Sequence, residues 1–273
     1  MALPASAFAE AARLERKLPM HFTWYACEPK CGGWIGAVGI VTGDTVKSFD
    51  QFVGGRDLGD TTIVLDSDGG SVNDAILLGR KWRQIGLRTT VGSVTAMGGR
   101  LEVSPQASCE SMCVFLLLSG KVRYAPQESH IRVHQIWMGN RTENPRAGTY
   151  NAQDLMIVER DIGRLAKYTF DMGGTGELLS LSLDVPPWET LLELSPQELH
   201  LTGLVTTDAV ADVLPEGRVT DPMVASHRSK PVTDPVLARL GNDHILPLPE
   251  STKQAEAALP VGADAAVRNP LPK

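Results

Sequence analysis

Two rhythms of apolar and polar residues organise the middle of the chain. Trp34 to Val41 alternates small and β-branched residues and predicts a strand, and Thr61 to Leu65 is a short apolar run that suits a buried one. That run enters Asp66-Ser67-Asp68-Gly69-Gly70-Ser71. From Val72 to Ile85 the rhythm changes: Val72, Ala75, Ile76, Trp82 and Ile85 recur near helical spacing, and Gly86 fits a C-terminal stop. Leu87 to Val91 predicts a third strand, and Cys109 to Leu118 a buried helix. Val122 to Ala125 and Ile131 to Ile136 predict two more short strands. Residues 150–170 predict a long polar helix with Leu155, Val158, Ile162 and Leu165 on one stripe. In Ser195-Pro196-Gln197-Glu198, a capping serine, a proline at the first helical position and an acid suited to the dipole mark another helix start. Strand and helix alternate throughout, which predicts an α/β architecture.

The ends break this pattern. Ala7-Phe8-Ala9 is an A-x-A pattern of the signal-peptidase kind, but no basic region precedes it and the apolar stretch is short. It reads either as the remnant of a signal peptide or as an Ala-rich, frayed terminus. Residues 216–273 hold eight of the 18 prolines, which remove backbone donors and fix φ, so this stretch predicts an extended or disordered tail. The expected organisation is an N-terminal segment over 1–20, a domain over 21–215 and the tail over 216–273. A chain of 273 residues can bury a substantial core without disulfides or metals. Its net charge of -6 argues against a general nucleic-acid binder, which needs clustered excess Lys and Arg. The longest apolar run, Val114 to Leu118, is far below the roughly 18–20 residues of a membrane span.

The cysteines form two C-x3-C pairs, Cys27/Cys31 and Cys109/Cys113. A pair at i,i+4 on a helix lies about 6 Å apart at Cα, within disulfide range. Local pairing is the preferred reading. A four-thiolate zinc site and reduced, buried thiols remain the alternatives.

Three features carry candidate chemistry. Asp68-Gly69-Gly70-Ser71-Val72 lies at a strand-to-helix turn, where two glycines let backbone N–H groups face a cavity and hold a developing oxyanion. Ser111 lies near a helix start in Cys109-Glu110-Ser111-Met112-Cys113, and His134 lies in a strand segment, Ile131-Arg132-Val133-His134-Gln135. Each alone has an ordinary structural explanation: a tight turn, a helix cap, a hydrogen-bonded strand histidine.

Taken in order, strand, Gly-Gly turn, helix, strand, Ser-bearing helix, hairpin, His-bearing strand and long helix, the chain resembles the proteolytic subunit of the Clp protease and the wider ClpP/crotonase superfamily. The residues that carry the resemblance are Leu65 to Val72, Ser111 with Leu116 to Arg123, and Ile131 to Gln135. Ala152 to Gly176 looks like that family's oligomerising handle helix. Ser195 to Leu199 and Thr202-Gly203-Leu204-Val205 look like its closing helix and turn. The match covers about residues 35–213. Closer still is a group of exported Clp-protease-like proteins with a Cys-Gly-Trp-Ile strand and a serine between two cysteines, matched here by Cys31-Gly32-Gly33-Trp34-Ile35 and Cys109 to Cys113.

The resemblance implies a repeated β-β-α superhelix with a protruding handle helix. It makes Ser111 the nucleophile, His134 the base, and Asp184 the acid that orients it, with Asp171 as fallback. The N–H groups of Gly70 and Met112 form the oxyanion hole, and Gly69 permits the turn. The implied activity is serine peptidase action on peptides or unfolded protein, ATPase-independent or with an unidentified partner. It needs no cofactor or metal, and the implied assembly is a homo-oligomer through residues 150–170. Export makes the location periplasmic or secreted; without a signal remnant it is cytoplasmic. The sequence departs from the family at Asp68, where proline is usual, at Gln135-Ile136 in place of Gln-Pro, and around Asp184. Related peptidases use Ser and Lys, for which Lys121 is the nearest candidate. The competing readings are an inactive oligomer that binds peptides or assembles partners, and a crotonase-type acyl-CoA enzyme, which would share the oxyanion hole without needing the Ser–His pair.

Overall fold

The computed structural model describes residues 13–28, 33–97, 100–138, 151–214, 218–219 and 255–256. It is a mixed α/β architecture. The central sheet has the order β1-β3-β4-β5-β9, formed by His21–Tyr25, Trp34–Val38, Thr62–Asp66, Arg88–Val91 and Arg123–Tyr124. β3, β4, β5 and β9 run parallel, and β1 closes one edge antiparallel to β3. All five residues of β4 are buried, as expected for a central parallel strand covered on both faces.

Helices α1 (Thr45–Val53) and α2 (Val72–Ile85) pack on this sheet. Their contact is aromatic: Phe49 stands 5.1 Å from Phe22 of β1 and 5.9 Å from Trp82 of α2, centroid to centroid, both edge-on. α2 begins where the sequence places it. The Ser71 side chain accepts from the Asp74 N–H, and Gly86 ends the helix at φ 87°. Trp82 and Leu78 are fully buried.

A second sheet has the order β12-β10-β8, from Leu192–Glu193, His130–Val133 and Ser108–Glu110. β8 and β10 are parallel, with Ile131 opposite Cys109 and Arg132 opposite Glu110. A bridge between Ser67 and Cys109 joins this sheet to the end of β4. Helix α3 (Met112–Leu118) follows β8 and is buried along its whole length. Arg83 of α2 donates to the carbonyls of Leu118, Ser119 and Gly120, which satisfies the far end of α3. Helix α4 (Ala152–Asp171) is anchored on α3 by Tyr168, whose hydroxyl donates to the Phe115 carbonyl at 2.8 Å. α5 (Gly176–Leu183) and α6 (Pro196–Leu201) complete the body, the latter with the capping box that Ser195 and Glu198 announce.

The remaining strands are short. β6 (Ser93–Met97) and β7 (Arg100–Ser104) form a hairpin that extends into a sheet of order β2-β13-β7-β6, with β2 at Cys27–Glu28 and β13 at Arg218–Val219. β11 (Trp137–Met138) pairs with β14 (Ala255–Glu256). Apart from β13 and β14, residues 216–273 lie outside the described residues, as do Ala7-Phe8-Ala9 and Cys31.

Two sequence expectations are corrected. Cys109 to Leu118 is not one helix: Cys109 and Glu110 continue strand β8, the chain turns sharply at Ser111, and the helix begins at Met112. Pairing with β10 draws Cys109 and Glu110 into the sheet. The strand at Ile131 ends at Val133, before His134. Among the described residues, no helix is long and apolar enough to cross a membrane.

Candidate active site

The site starts from the turn after β4. Ser67 anchors it: its backbone N–H donates to the Ser108 carbonyl at 2.8 Å and its carbonyl accepts from Glu110 N–H at 3.0 Å. Its hydroxyl donates to the Gly39 carbonyl at 2.6 Å and accepts from the Gly69 N–H at 3.1 Å. Beyond it, Gly69 and Gly70 take φ of 94° and 128°, values an L side chain rarely adopts. Val41 uses both backbone groups on this turn, donating to the Gly69 carbonyl at 2.7 Å and accepting from Ser71 N–H at 2.9 Å. Gly70 lies between these two bonds, bridged to Val41.

Ser111 stands against Gly69. A Cβ placed on Gly69 would lie 2.8 Å from Ser111 Cβ, 2.8 Å from the Glu110 carbonyl and 2.9 Å from Met112 N. Only glycine lets the turn lie this close to the serine and the first amide of α3. Ser111 itself has φ 55° and ψ -121°, a conformation that costs about 1–3 kcal/mol and persists only where the surroundings enforce it. Three constraints do so. Ser111 N–H donates to the Arg132 carbonyl at 2.9 Å. Gly69 packs against its Cβ. Cys109 and Cys113, with Cα atoms 5.1 Å apart, are joined by a disulfide that spans the elbow. This bridge links strand to helix rather than two positions of one helical turn, and it takes up two of the thiolates that a four-cysteine zinc site would need. The Ser111 side chain makes no capping bond to α3, so the ordinary explanation for a serine at a helix start does not apply.

His134 follows β10 as Ser111 follows β8, so both leave the C-terminal ends of adjacent parallel strands. A ladder of Glu110, Arg132 and Glu193 fixes this register, with Arg132 Nη1 2.9 Å from Glu110 and Nε 3.1 Å from Glu193. His134 is 5% exposed, and burial lowers its pKa from 6.5 to about 4, against the hydrogen bond to the Gln135 backbone, which raises it. No hydrogen bond joins its ring to Ser111 among the described residues. Asp184 is the exposed residue that closes α5. Its neighbour Val185 accepts from Gln135 N–H at 2.9 Å, which lays the end of α5 beside the residue after His134. Asp171 lies elsewhere, at the end of α4, where ion pairs with Arg80 at 2.8 Å and Lys167 at 3.0 Å hold its carboxyl below the ordinary range. Lys121 is exposed and follows the far end of α3.

Asp68, the departure next to the glycines, is paired. Arg16 Nε donates to its carboxylate at 2.8 Å, and Arg16 Nη1 lies 3.4 Å from Asp66. Sequence reasoning does not reach Arg16, which carries no local signal, nor the Glu110–Arg132–Glu193 ladder, which joins three separate segments. The Ser67 hydroxyl was within reach, since a serine beside a Gly-Gly turn is a ready local acceptor. Among the described residues no group of three or more His, Cys, Asp or Glu side chains is arranged to hold a metal.

No protein-family profile matches the chain, and no curated protein matches its sequence. Among solved structures the chain is similar to the ClpP protease catalytic domain of Plasmodium falciparum, at 16% identity and a TM-score of 0.39, over 61% of this chain and 78% of that one. At that level of similarity no residue role transfers, and the reading below rests on the geometry of this chain.

Proposed function

We propose that the chain is a serine peptidase of Clp-protease-like type, with Ser111 as nucleophile, His134 as base and the N–H groups of Gly70 and Met112 as oxyanion hole. The observation that carries the proposal is the approach of Gly69 to Ser111 Cβ and Met112 N at a serine whose φ is 55°. Ser111 is 4% exposed, and such an elbow sets its hydroxyl beside backbone donors, the arrangement acyl transfer needs. Ser111 Oγ bonds to the substrate carbonyl carbon as its proton passes to His134. The C–N bond breaks as that proton reaches the leaving nitrogen, and water then hydrolyses the ester with the same base. The lowered His134 pKa keeps the imidazole neutral, and able to accept a proton, at pH 7.

Asp184 is the orienting acid in this reading, supported by the Gln135–Val185 hydrogen bond. Substrates are short or unfolded peptides. α4 serves as the handle of a β-β-α superhelix and as the surface for homo-oligomers, a role supported by the exposure of Leu155, Met156 and Phe170 at 50%, 61% and 60%. The Cys109–Cys113 disulfide supports a periplasmic or secreted location, since disulfides persist in oxidising compartments. The second reading, an inactive peptide-binding oligomer, is favoured by the missing Ser111–His134 hydrogen bond and the exposure of Asp184.

The test is hydrolysis of a mixture of quenched, unstructured fluorogenic peptides by the full chain beside Ser111→Ala. Cleavage that the substitution abolishes supports the peptidase. Cleavage no faster than the Ser111→Ala background sinks it in favour of the binding module.

A further inference from the structure

We infer that Arg16 is a positioning residue of this site, acting through the charge of the turn: its guanidinium neutralises the acidic Asp66–Asp68 corner next to the oxyanion-binding glycines. The inference rests on the peptidase reading above.

The guanidinium arrives from a segment 50 residues upstream of Asp66. Backbone hydrogen bonds hold that segment on the body: Ile40 N–H donates to the Leu18 carbonyl and Met20 N–H to the Ile40 carbonyl, both at 2.7 Å. Met20 is buried in the core. Arg16 thus reaches the turn from a fixed backbone, and its side chain is only 18% exposed. It meets Asp68 at 10% exposure and Asp66 at 3%. Asp66 Oδ1 also accepts from Ser108 N–H at 3.1 Å, so the carboxylate that meets the guanidinium also ties the end of β4 to the start of β8. Burial pushes the Asp66 carboxyl up, while the Ser108 N–H and Arg16 pull it back.

The chemistry sets the need. An oxyanion at Gly70 N–H is a new negative charge, and Asp68 lies two residues before Gly70. Unscreened like charges in a poorly solvated corner repel strongly. Two carboxylates there without a cation would oppose the transition state that the glycines serve.

The test is the rate at which a fluorophosphonate labels Ser111 in the full chain, with circular dichroism as a check on folding. Arg16→Gln is expected to label about tenfold more slowly, the order produced by one partly screened charge near the reacting centre. Arg16→Lys keeps the charge and is expected to stay within about threefold of the unaltered rate. Asp68→Asn separates charge from structure. It breaks the ion pair but removes the repelling charge, so it is expected to label at least as fast as the unaltered protein, and the Arg16→Gln/Asp68→Asn pair to recover most of the lost rate. An Asp68→Asn protein as slow as Arg16→Gln would overturn the inference by showing a structural tie only. So would Arg16→Gln labelled at the unaltered rate. No labelling of the unaltered protein overturns the peptidase reading instead, and this inference with it.

Discussion

Ser111 and His134 leave the ends of neighbouring parallel strands, yet the structure holds them by different means. The Ser111 side is fixed by backbone and covalent geometry: a disulfide across the elbow, a glycine whose φ of 94° admits the turn, and an amide tied to the Arg132 carbonyl. The ladder through Arg132 fixes the strand before His134, but the histidine itself is held by burial and by the Gln135 backbone bond to Val185, with its proposed acid exposed at the end of α5. In the proposed peptidase the nucleophile and its backbone donors are therefore held in place before substrate arrives. Among the described residues no hydrogen bond joins His134 to its proposed acid, whose exposure leaves it a weak orienting role.

The comparison breaks most directly at Gly69. Gly69→Ala is expected to cost about 2–5 kcal/mol, from left-handed strain and crowding of Ser111 and Met112, and to lower Tm by roughly 5–15 °C. Gln135→Ala on the other side should stay within about 1 kcal/mol, because its backbone bond survives. Equal melting shifts would erase the contrast.

The next effect belongs to His134. Its folded pKa of about 4 lies below the ordinary 6.5, so the unfolded chain takes up the proton first. The fold keeps its full stability above pH 6.5 and loses about 3 kcal/mol as pH falls through that window towards 4. His134→Gln should flatten that slope in chemical denaturation. Ser111 labelling should likewise hold down to pH 5 and fail near 4. An acid limb centred on 6.5 would show that His134 is not buried as described.

Cys109→Ala/Cys113→Ala is smaller. Opening so short a ring costs about 2 kcal/mol in the unfolded-chain account. Its particular signature is slower Ser111 labelling with an unshifted acid limb, because the His134 side does not depend on the bridge. The smallest effect is at Asp184. As an exposed carboxylate it should slow labelling by no more than about tenfold when changed to Asn. A loss comparable to His134→Ala would mean that the two side chains meet in the working enzyme.

The same contrast governs what the sequence made legible. Helix α2 stood out complete from Val72 to Ile85, because its cap, apolar spacing and stop glycine are all local. The strand–helix alternation led correctly to a mixed α/β protein. The elbow was hidden inside an apolar run that reads as one helix, because only pairing with β10 turns Cys109 and Glu110 into strand. α1, α5 and the β6–β7 hairpin were missed, although Gly98-Gly99 between Met97 and Arg100 is a hairpin signal of the ordinary kind. Gly69, Ser111 and the Cys109–Cys113 pair were visible as residues, while their closeness is a tertiary fact. Arg16 was illegible because its place beside Asp68 depends on a contact between distant segments.

The central claim is that Ser111 is an activated nucleophile in a formed oxyanion hole. The most direct measurement exposes the purified full chain to a fluorophosphonate and locates the adduct by mass spectrometry, beside Ser111→Ala and His134→Ala. The expected result is a single adduct on Ser111, absent from the first variant and slowed at least about 10³-fold in the second. No adduct on Ser111, or one that forms as fast without His134, would contradict the account.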